Sequence, residues 1–203
     1  MTRGAIAVVA AVVVGGCGGG EEQKQVFMPA VATRIANVRP EAPGWTWPQN
    51  PEKHGPSGSQ TGAQSTDPLD AELRRQTADI VFLGDAANKW RDAHKLANLY
   101  VQVVGSVAEA HELMAPLNAY SRGWGERFGR VTDEEIDGLG DEGWLLRTQK
   151  DSGGIEVTYH WRRGNLVVEA HIDCFGFCPG KVDAAARAWV DAIDEATRTR
   201  SGP

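Results

Sequence analysis

The chain has 203 residues, a formal net charge of −6 and 24% charged residues. This length is enough for one domain of ordinary size with additional flanking segments. Nucleic-acid binding depends on neutralising phosphates, and a mildly acidic chain without a cluster of Lys and Arg is poorly suited to it. We therefore expect no nucleic-acid partner.

The first 17 residues have the layout of an export signal. Arg3 supplies a positive charge, and ten apolar residues follow from Ala5 to Val14. This run is shorter than the ~20 apolar residues of a permanent transmembrane helix. The sequence Val14-Gly15-Gly16-Cys17 resembles the lipobox of bacterial lipoproteins, with Val14 where Leu is usual. The resemblance implies lipidation of Cys17 and cleavage before it, so that residues 1–16 are a signal peptide.

A lipid anchor at Cys17 would fix the location of the protein. Each buried methylene contributes about 0.8 kcal/mol to membrane binding, so two acyl chains hold a protein where one chain is marginal. We expect the protein to lie at the extracytoplasmic face of the cell membrane, with the membrane as a partner through this anchor. The alternative is an ordinary cleaved signal, or an apolar terminus, with an incidental cysteine.

Residues 17–67 are predicted to form a disordered tether. They are rich in Pro, Gly, Ser, Gln and Thr, and such a segment buries too little apolar surface to offset the entropy of ordering it. The apolar stretch 26–28 and the pair Trp45 and Trp47 differ from the rest, and they could dock on the domain or on a partner. We expect them to be exposed with the tether.

Residues 68–203 are predicted to form a single domain. Asp67-Pro68 is typical of a helix start, with Asp as the cap and Pro at the first helical position. Leu99–Val104 predicts a strand. Ser106–Glu109 matches a capping box and predicts a helix, which Pro116 would kink or divide. Thr132–Glu135 matches the same signature and predicts a short helical turn.

The clearest strand signal lies in the second half of the chain. Large apolar residues alternate with polar ones on both sides of Gly164-Asn165, which predicts a hairpin with a two-residue loop. In that register Trp161 is opposite Val168, Tyr159 is opposite Ala170, and Val157 is opposite Ile172. A helix is predicted from about residue 181 to residue 199. The fold class is therefore α+β, an antiparallel sheet with helices packed on one face, preceded by the disordered tether.

Two cysteines remain if Cys17 carries lipid. Cys174 and Cys178 lie between the last strand and the last helix, and an even pair fits an oxidising compartment. We predict a structural disulfide between them. A redox or metal-binding pair and two free thiols are the alternatives, although redox motifs favour Cys-x-x-Cys and zinc requires four ligands.

Four titratable residues fall on the polar face of the predicted hairpin: His160, Glu169, His171 and Asp173. The register places His160 opposite Glu169 and diagonal to His171. They are candidates for a metal site or a pH-sensitive patch. We expect instead a solvated sheet face with one His–Glu pair, and we predict no cofactor.

The sequence contains no Gly-x-Ser-x-Gly, no Walker loop, no His-Glu-x-x-His and no Gly-x-Gly-x-x-Gly after a predicted strand. The order strand, Ser-capped helix, Gly140–Trp144, hairpin with Arg163-Gly164-Asn165 and terminal helix resembles small exported domains of high-GC Gram-positive bacteria. Such exported domains include lipoproteins of unknown role and the extracellular sensor domains of some actinobacterial membrane kinases.

The sequence therefore predicts a membrane-anchored, extracytoplasmic module that binds a protein or a small molecule and has no catalytic residues. An exported hydrolase or metal-dependent enzyme with an unrecognised site is an alternative. A structural envelope lipoprotein is another.

Overall fold

The computed structural model describes residues 25–42, 45, 47, 52–54, 66–175 and 182–198. The helices of these residues are α1 (Ala30–Ala36), α2 (Pro68–Gln76), α3 (Val107–Glu126) and α4 (Val182–Arg198). The strands are β1 (Glu52–His54), β2 (Phe82–Arg91), β3 (Lys95–Val104), β4 (Gly129–Glu135), β5 (Glu142–Lys150), β6 (Ile155–Arg163) and β7 (Leu166–Cys174). Within the described part of the chain, no helix is long and apolar enough to cross a membrane.

The strands form one sheet in the order β1-β2-β3-β7-β6-β5-β4. Every neighbouring pair is antiparallel. Helix α3 connects β3 to β4 at the far edge, and β7 returns to the centre between β3 and β6. The predicted α+β class with an antiparallel sheet is confirmed.

The β6–β7 hairpin has the predicted register. Trp161 pairs with Val168, Tyr159 with Ala170 and Val157 with Ile172. Gly164 opens the loop with φ of 57°, a left-handed conformation that an L side chain rarely adopts. The loop chemistry therefore sets which side chains of β6 and β7 share a face.

Helices cover both faces of the sheet, where the sequence predicted one covered face. Helices α1 and α4 pack in one apolar cluster with Val168 and its neighbours on the same face. Helix α3 packs with Leu73 of α2 and with Val167 in a second cluster. Because successive strand residues point to opposite faces, Val167 and Val168 place these clusters on opposite sides. The central strands are buried on both faces, so the expected solvated polar face is largely covered.

The described residues between 25 and 47 contribute to the core, so the prediction of an exposed tether is wrong for them. Phe27, Ile35, Trp45 and Trp47 are all buried in the cluster that contains α4. Trp189 of α4 also donates an indole N–H bond to the carbonyl of Val38, at 2.9 Å. The segment covers apolar strand and helix surface that residues 68–203 alone would leave in water. Residues 18–24 and 55–65 of the predicted tether lie outside the described residues.

Local signals gave mixed results for the helices. The side chains of Asp67 and Ser106 accept bonds from the backbone N–H of Leu69 and Glu109, as predicted for helix caps. Helix α3 continues through Pro116 without division. The predicted helical turn at Thr132–Glu135 is wrong, because these residues pair with β5 as part of β4. Cross-strand pairing outweighs the capping signature there.

Candidate ligand-binding site

The four candidate residues of the hairpin separate into two groups. His160 is fully buried under α3, and its Nε2 lies 3.3 Å from Glu169 Oε2. Its Nδ1 lies 2.6 Å from Oδ1 of Asn118, a residue of α3. Burial works against ionisation of Glu169, but the hydrogen bond and charge of His160 outweigh it and lower the pKa of Glu169. This group joins the helix to the sheet.

The second group contains four side chains at the other end of the same face, and we call it the polar cluster: Lys150, Glu156, His171 and Asp173. The Lys150 ammonium lies 2.6 Å from Asp173 Oδ2 and 3.2 Å from Glu156 Oε2. His171 Nδ1 is 3.8 Å from Glu156 Oε1. Each side chain is at least four-fifths buried. The cluster therefore concentrates two acids, one base and an imidazole in a poorly hydrated place.

Strand register explains why these residues meet. Glu156 pairs directly with Asp173 across β6 and β7, and His171 lies two positions before Asp173 on the same face. Thr148 pairs with Glu156, so Lys150 of β5 also shares this face. Sequence reasoning missed Glu156 and Lys150. Extending the hairpin register to the start of β6 would have found Glu156.

Three buried polar atoms of this face have no hydrogen-bond partner among the described residues. They are Asp173 Oδ1, His171 Nε2 and Asn98 Oδ1. Asn98 of β3 pairs directly with His171 of β7, so the three atoms belong to neighbouring strand positions. Buried polar atoms in folded proteins nearly always have a partner. A concentration of unpartnered atoms on one patch indicates a place where a ligand or ordered water belongs.

Lys150 and Asp173 form the shortest ion pair of the cluster, and burial acts on both groups. Burial raises the pKa of the Asp173 carboxyl, although Lys150 acts against this shift. Burial also opposes the charge of Lys150, but its bond to Asp173 and the charges of both acids raise the pKa of the ammonium. Lys150 therefore stays cationic at neutral pH and neutralises part of the negative charge around it.

Exposed aromatic side chains lie next to the polar cluster, and we call Trp124, Phe128 and Phe175 the aromatic rim. Their exposed fractions are 38%, 43% and 42%. The ring centroids of Trp124 and Phe128 are 5.5 Å apart. Lys150 Nζ lies 5.7 Å from the Phe128 centroid and 5.5 Å from the Phe175 centroid. Large exposed aromatics beside buried polar atoms form a surface that is typical of ligand binding.

Of the three cysteines, the structure describes Cys174 alone. Cys174 ends β7 and is buried. Cys178 lies outside the described residues, so its pairing with Cys174 stays a prediction. Cys17 also lies outside them, and its lipidation stays a prediction.

Comparison with known proteins gives a distant structural likeness. No family model matches the chain, and no curated protein matches it. Among solved structures, the chain is similar to the extracellular domain of PknH from Mycobacterium tuberculosis, with 11% identity and a TM-score of 0.46. The alignment covers 87% of this chain and 100% of that chain. The candidate site is therefore interpreted from its own chemistry.

Proposed function

We propose that the protein is a lipid-anchored, extracytoplasmic binding module, and that its ligand contacts the polar cluster beside the aromatic rim. The observation that carries this proposal is the concentration of three unpartnered buried polar atoms on Asn98, His171 and Asp173. Two of these atoms are carbonyl or carboxylate oxygens, which only accept hydrogen bonds. The patch therefore favours a ligand that presents donors or positive charge.

The anchoring part of the proposal rests on the signal-like sequence that ends in Cys17. A tethered binding module needs a rigid site that stays at the membrane, and strands supply such a site better than loops do. The polar cluster stands on three adjacent strands, β5, β6 and β7. A ligand would meet side chains that are already held in place.

An exported metal-dependent enzyme is the second candidate. Glu156, His171 and Asp173 form a group whose donor atoms lie within 4.8 Å of one another, and this observation favours it. Catalysis would also need a general base or nucleophile with access to substrate. His160 does not supply one, because it is fully buried and bonded to α3.

The binding function can be tested by native mass spectrometry of the mature protein extracted from membranes. We expect the wild-type chain to retain a bound species, whether an ion, a small molecule or a protein. Asp173→Asn should lose it, because the substitution removes the carboxylate charge from the patch. Asp191→Asn is the matched control, since Asp191 is an exposed carboxylate of α4 and its ion pair among the described residues is with Arg187 on the same helix. A wild-type chain without a bound species, or equal retention by all three, would contradict the binding function.

The anchor is tested separately by fractionating cells that express the wild-type chain or Cys17→Ser. We expect the wild-type chain in the membrane fraction and in the detergent phase, with incorporation of labelled fatty acid. The Cys17→Ser chain should lose the label and leave the detergent phase. The same distribution for both chains would remove the lipid anchor from the proposal.

A further inference from the structure

We infer that the polar cluster binds a divalent transition-metal ion, of the Zn²⁺ class, through Glu156, His171 and Asp173. This inference rests on the binding function proposed above and names its ligand. One donor atom from each of the three side chains lies within 4.8 Å of the other two. Two carboxylates and one imidazole form a donor set that suits Zn²⁺ and related first-row ions, and three protein ligands leave a coordination position open.

The unpartnered atoms give an independent reason to place an ion here. The Asp173 side chain is 8% exposed, and its Oδ1 has no partner among the described residues although Oδ2 is paired with Lys150. The buried Nε2 of His171 also has no partner. A carboxylate oxygen and an imidazole nitrogen without partners in one buried cluster are both potential ligand atoms.

The strand scaffold holds the three ligands without help from loops. Glu156 and Asp173 are directly opposite each other, and directly opposite residues of an antiparallel pair have Cβ atoms about 5 Å apart. His171 lies on the same face two positions away, which places it diagonal to Glu156. An ion at this place would therefore bind side chains that the sheet has already aligned.

Lys150 is a built-in competitor for the ion. Its ammonium lies between the two carboxylates, 2.6 Å from Asp173 and 3.2 Å from Glu156. A divalent ion bound by both acids must displace this contact or remain beside a repelling charge. The ammonium already lies within 5.7 Å of the ring centroids of Phe128 and Phe175, and these cation–π contacts do not depend on the carboxylates. Removing the Lys150 charge should therefore tighten metal binding, whereas removing a ligand should weaken it.

The test is metal titration of the complete mature chain carrying Cys17→Ser, without a polyhistidine tag and without reductant. Zn²⁺ binding is followed by calorimetry, and Co²⁺ binding by its visible spectrum. We expect one ion per chain. The variants Asp173→Asn and His171→Gln should each weaken binding at least about tenfold, and Lys150→Met should tighten it about tenfold. Asp191→Asn should leave the affinity unchanged, and circular dichroism establishes that each variant folds.

The outcomes separate this inference from the binding function. No ion binding by either the wild-type chain or Lys150→Met overturns the metal site. Unchanged affinity in both Asp173→Asn and His171→Gln overturns it as well, as does an intense thiolate-to-cobalt band in the near ultraviolet, which assigns the ion to cysteine. If no ion binds but native mass spectrometry finds an organic species that Asp173→Asn loses, the binding function stands and its ligand is not a metal.

Discussion

One buried side chain, Asn165, bonds the backbone of the N-terminal segment at Phe27 to the sheet. Its Oδ1 accepts a bond from the backbone N–H of Phe27 at 2.6 Å. Its Nδ2 donates to the carbonyls of Phe27 at 3.2 Å and Val104 at 2.7 Å. Asn165 therefore joins three parts of the chain: the segment around Phe27, the end of β3 and the β6–β7 loop.

We expect Asn165→Ala to lower the free energy of unfolding by about 3–5 kcal/mol. The three lost hydrogen bonds contribute about 1 kcal/mol each, and buried backbone groups left without a partner add to the cost. The loop itself should tolerate alanine, because no residue other than glycine has a positive φ in the described part of the chain. The matched control is Gln76→Ala, whose exposed amide donates a bond to the Glu72 carboxylate one turn earlier on the surface of α2. Its cost should be about 0.5–1 kcal/mol.

Two measurements check this prediction. Urea denaturation followed by circular dichroism gives the free energy of unfolding for the wild-type chain and both variants. Hydrogen exchange by mass spectrometry then shows where protection is lost. In Asn165→Ala, the loss of protection relative to wild type should be larger at residues 25–36 than in the central strands. A difference below about 1 kcal/mol between the two variants, or unchanged exchange at Phe27, would refute the assignment of Asn165 as the attachment point.

Three further predictions concern other parts of the structure. Gly164→Ala should destabilise the protein more than Gly153→Ala in urea denaturation: both glycines have positive φ, but only a methyl group at 164 meets the backbone of the N-terminal segment. The control Gly153→Ala should lower the free energy of unfolding by about 1–2 kcal/mol. An equal loss in the two variants would contradict docking of the N-terminal segment on the loop. His160→Gln should lower the free energy of unfolding by about 2–4 kcal/mol in the same assay, since it disturbs the hydrogen bond from β6 to Asn118 of α3 and the pair with Glu169 of β7. A cost near zero would contradict that role. The pKa of Asp67 is lowered from 3.8 to about 2, chiefly by the hydrogen bond from Arg127, so its stabilising effect is present above pH 3.8 and is lost as the pH falls through about 2. The melting temperature of Asp67→Asn should therefore change less across this pH range than that of the wild-type chain. Identical changes in both would contradict the stabilising role of the Asp67 charge.

Short-range patterns predicted a large part of the fold. The cap at Asp67, the helix start at Ser106 and the Gly164-Asn165 hairpin depend on neighbouring residues, and each is present in the structure. The signature at Thr132 failed because a capping motif competes with strand pairing, and the pairing partner is Arg147, distant in sequence. Sequence patterns describe local preferences, and pairing with a remote strand can override them.

The candidate site was predicted only in part. Alternation along the hairpin placed His171 and Asp173 on one face, and both belong to the polar cluster. The same pattern could not separate them from His160, because α3 buries that residue and no sequence signal gave the position of α3 over the sheet. Lys150 was missed for a related reason, since its contact with Asp173 depends on the pairing of β5 with β6.

The N-terminal segment was assigned by composition, which averages over residues and ignores where a few large apolar side chains can pack. Phe27, Ile35 and Trp47 are buried because residues 68–203 present an apolar surface that matches them. That surface exists only after the sheet and α4 have assembled. Composition therefore did not predict α1 or the burial of these aromatic residues.

By itself, the sequence determined the α+β class, the helix caps and the register of the central hairpin, because caps, turns and alternation act over a few residues. Only the tertiary structure decided which faces the helices cover, that Phe27, Ile35, Trp45 and Trp47 complete the core, and that Lys150 and Glu156 join His171 and Asp173. These features require segments far apart in sequence to meet. The free energy that selects them comes from burial and long-range pairing, which no local pattern encodes.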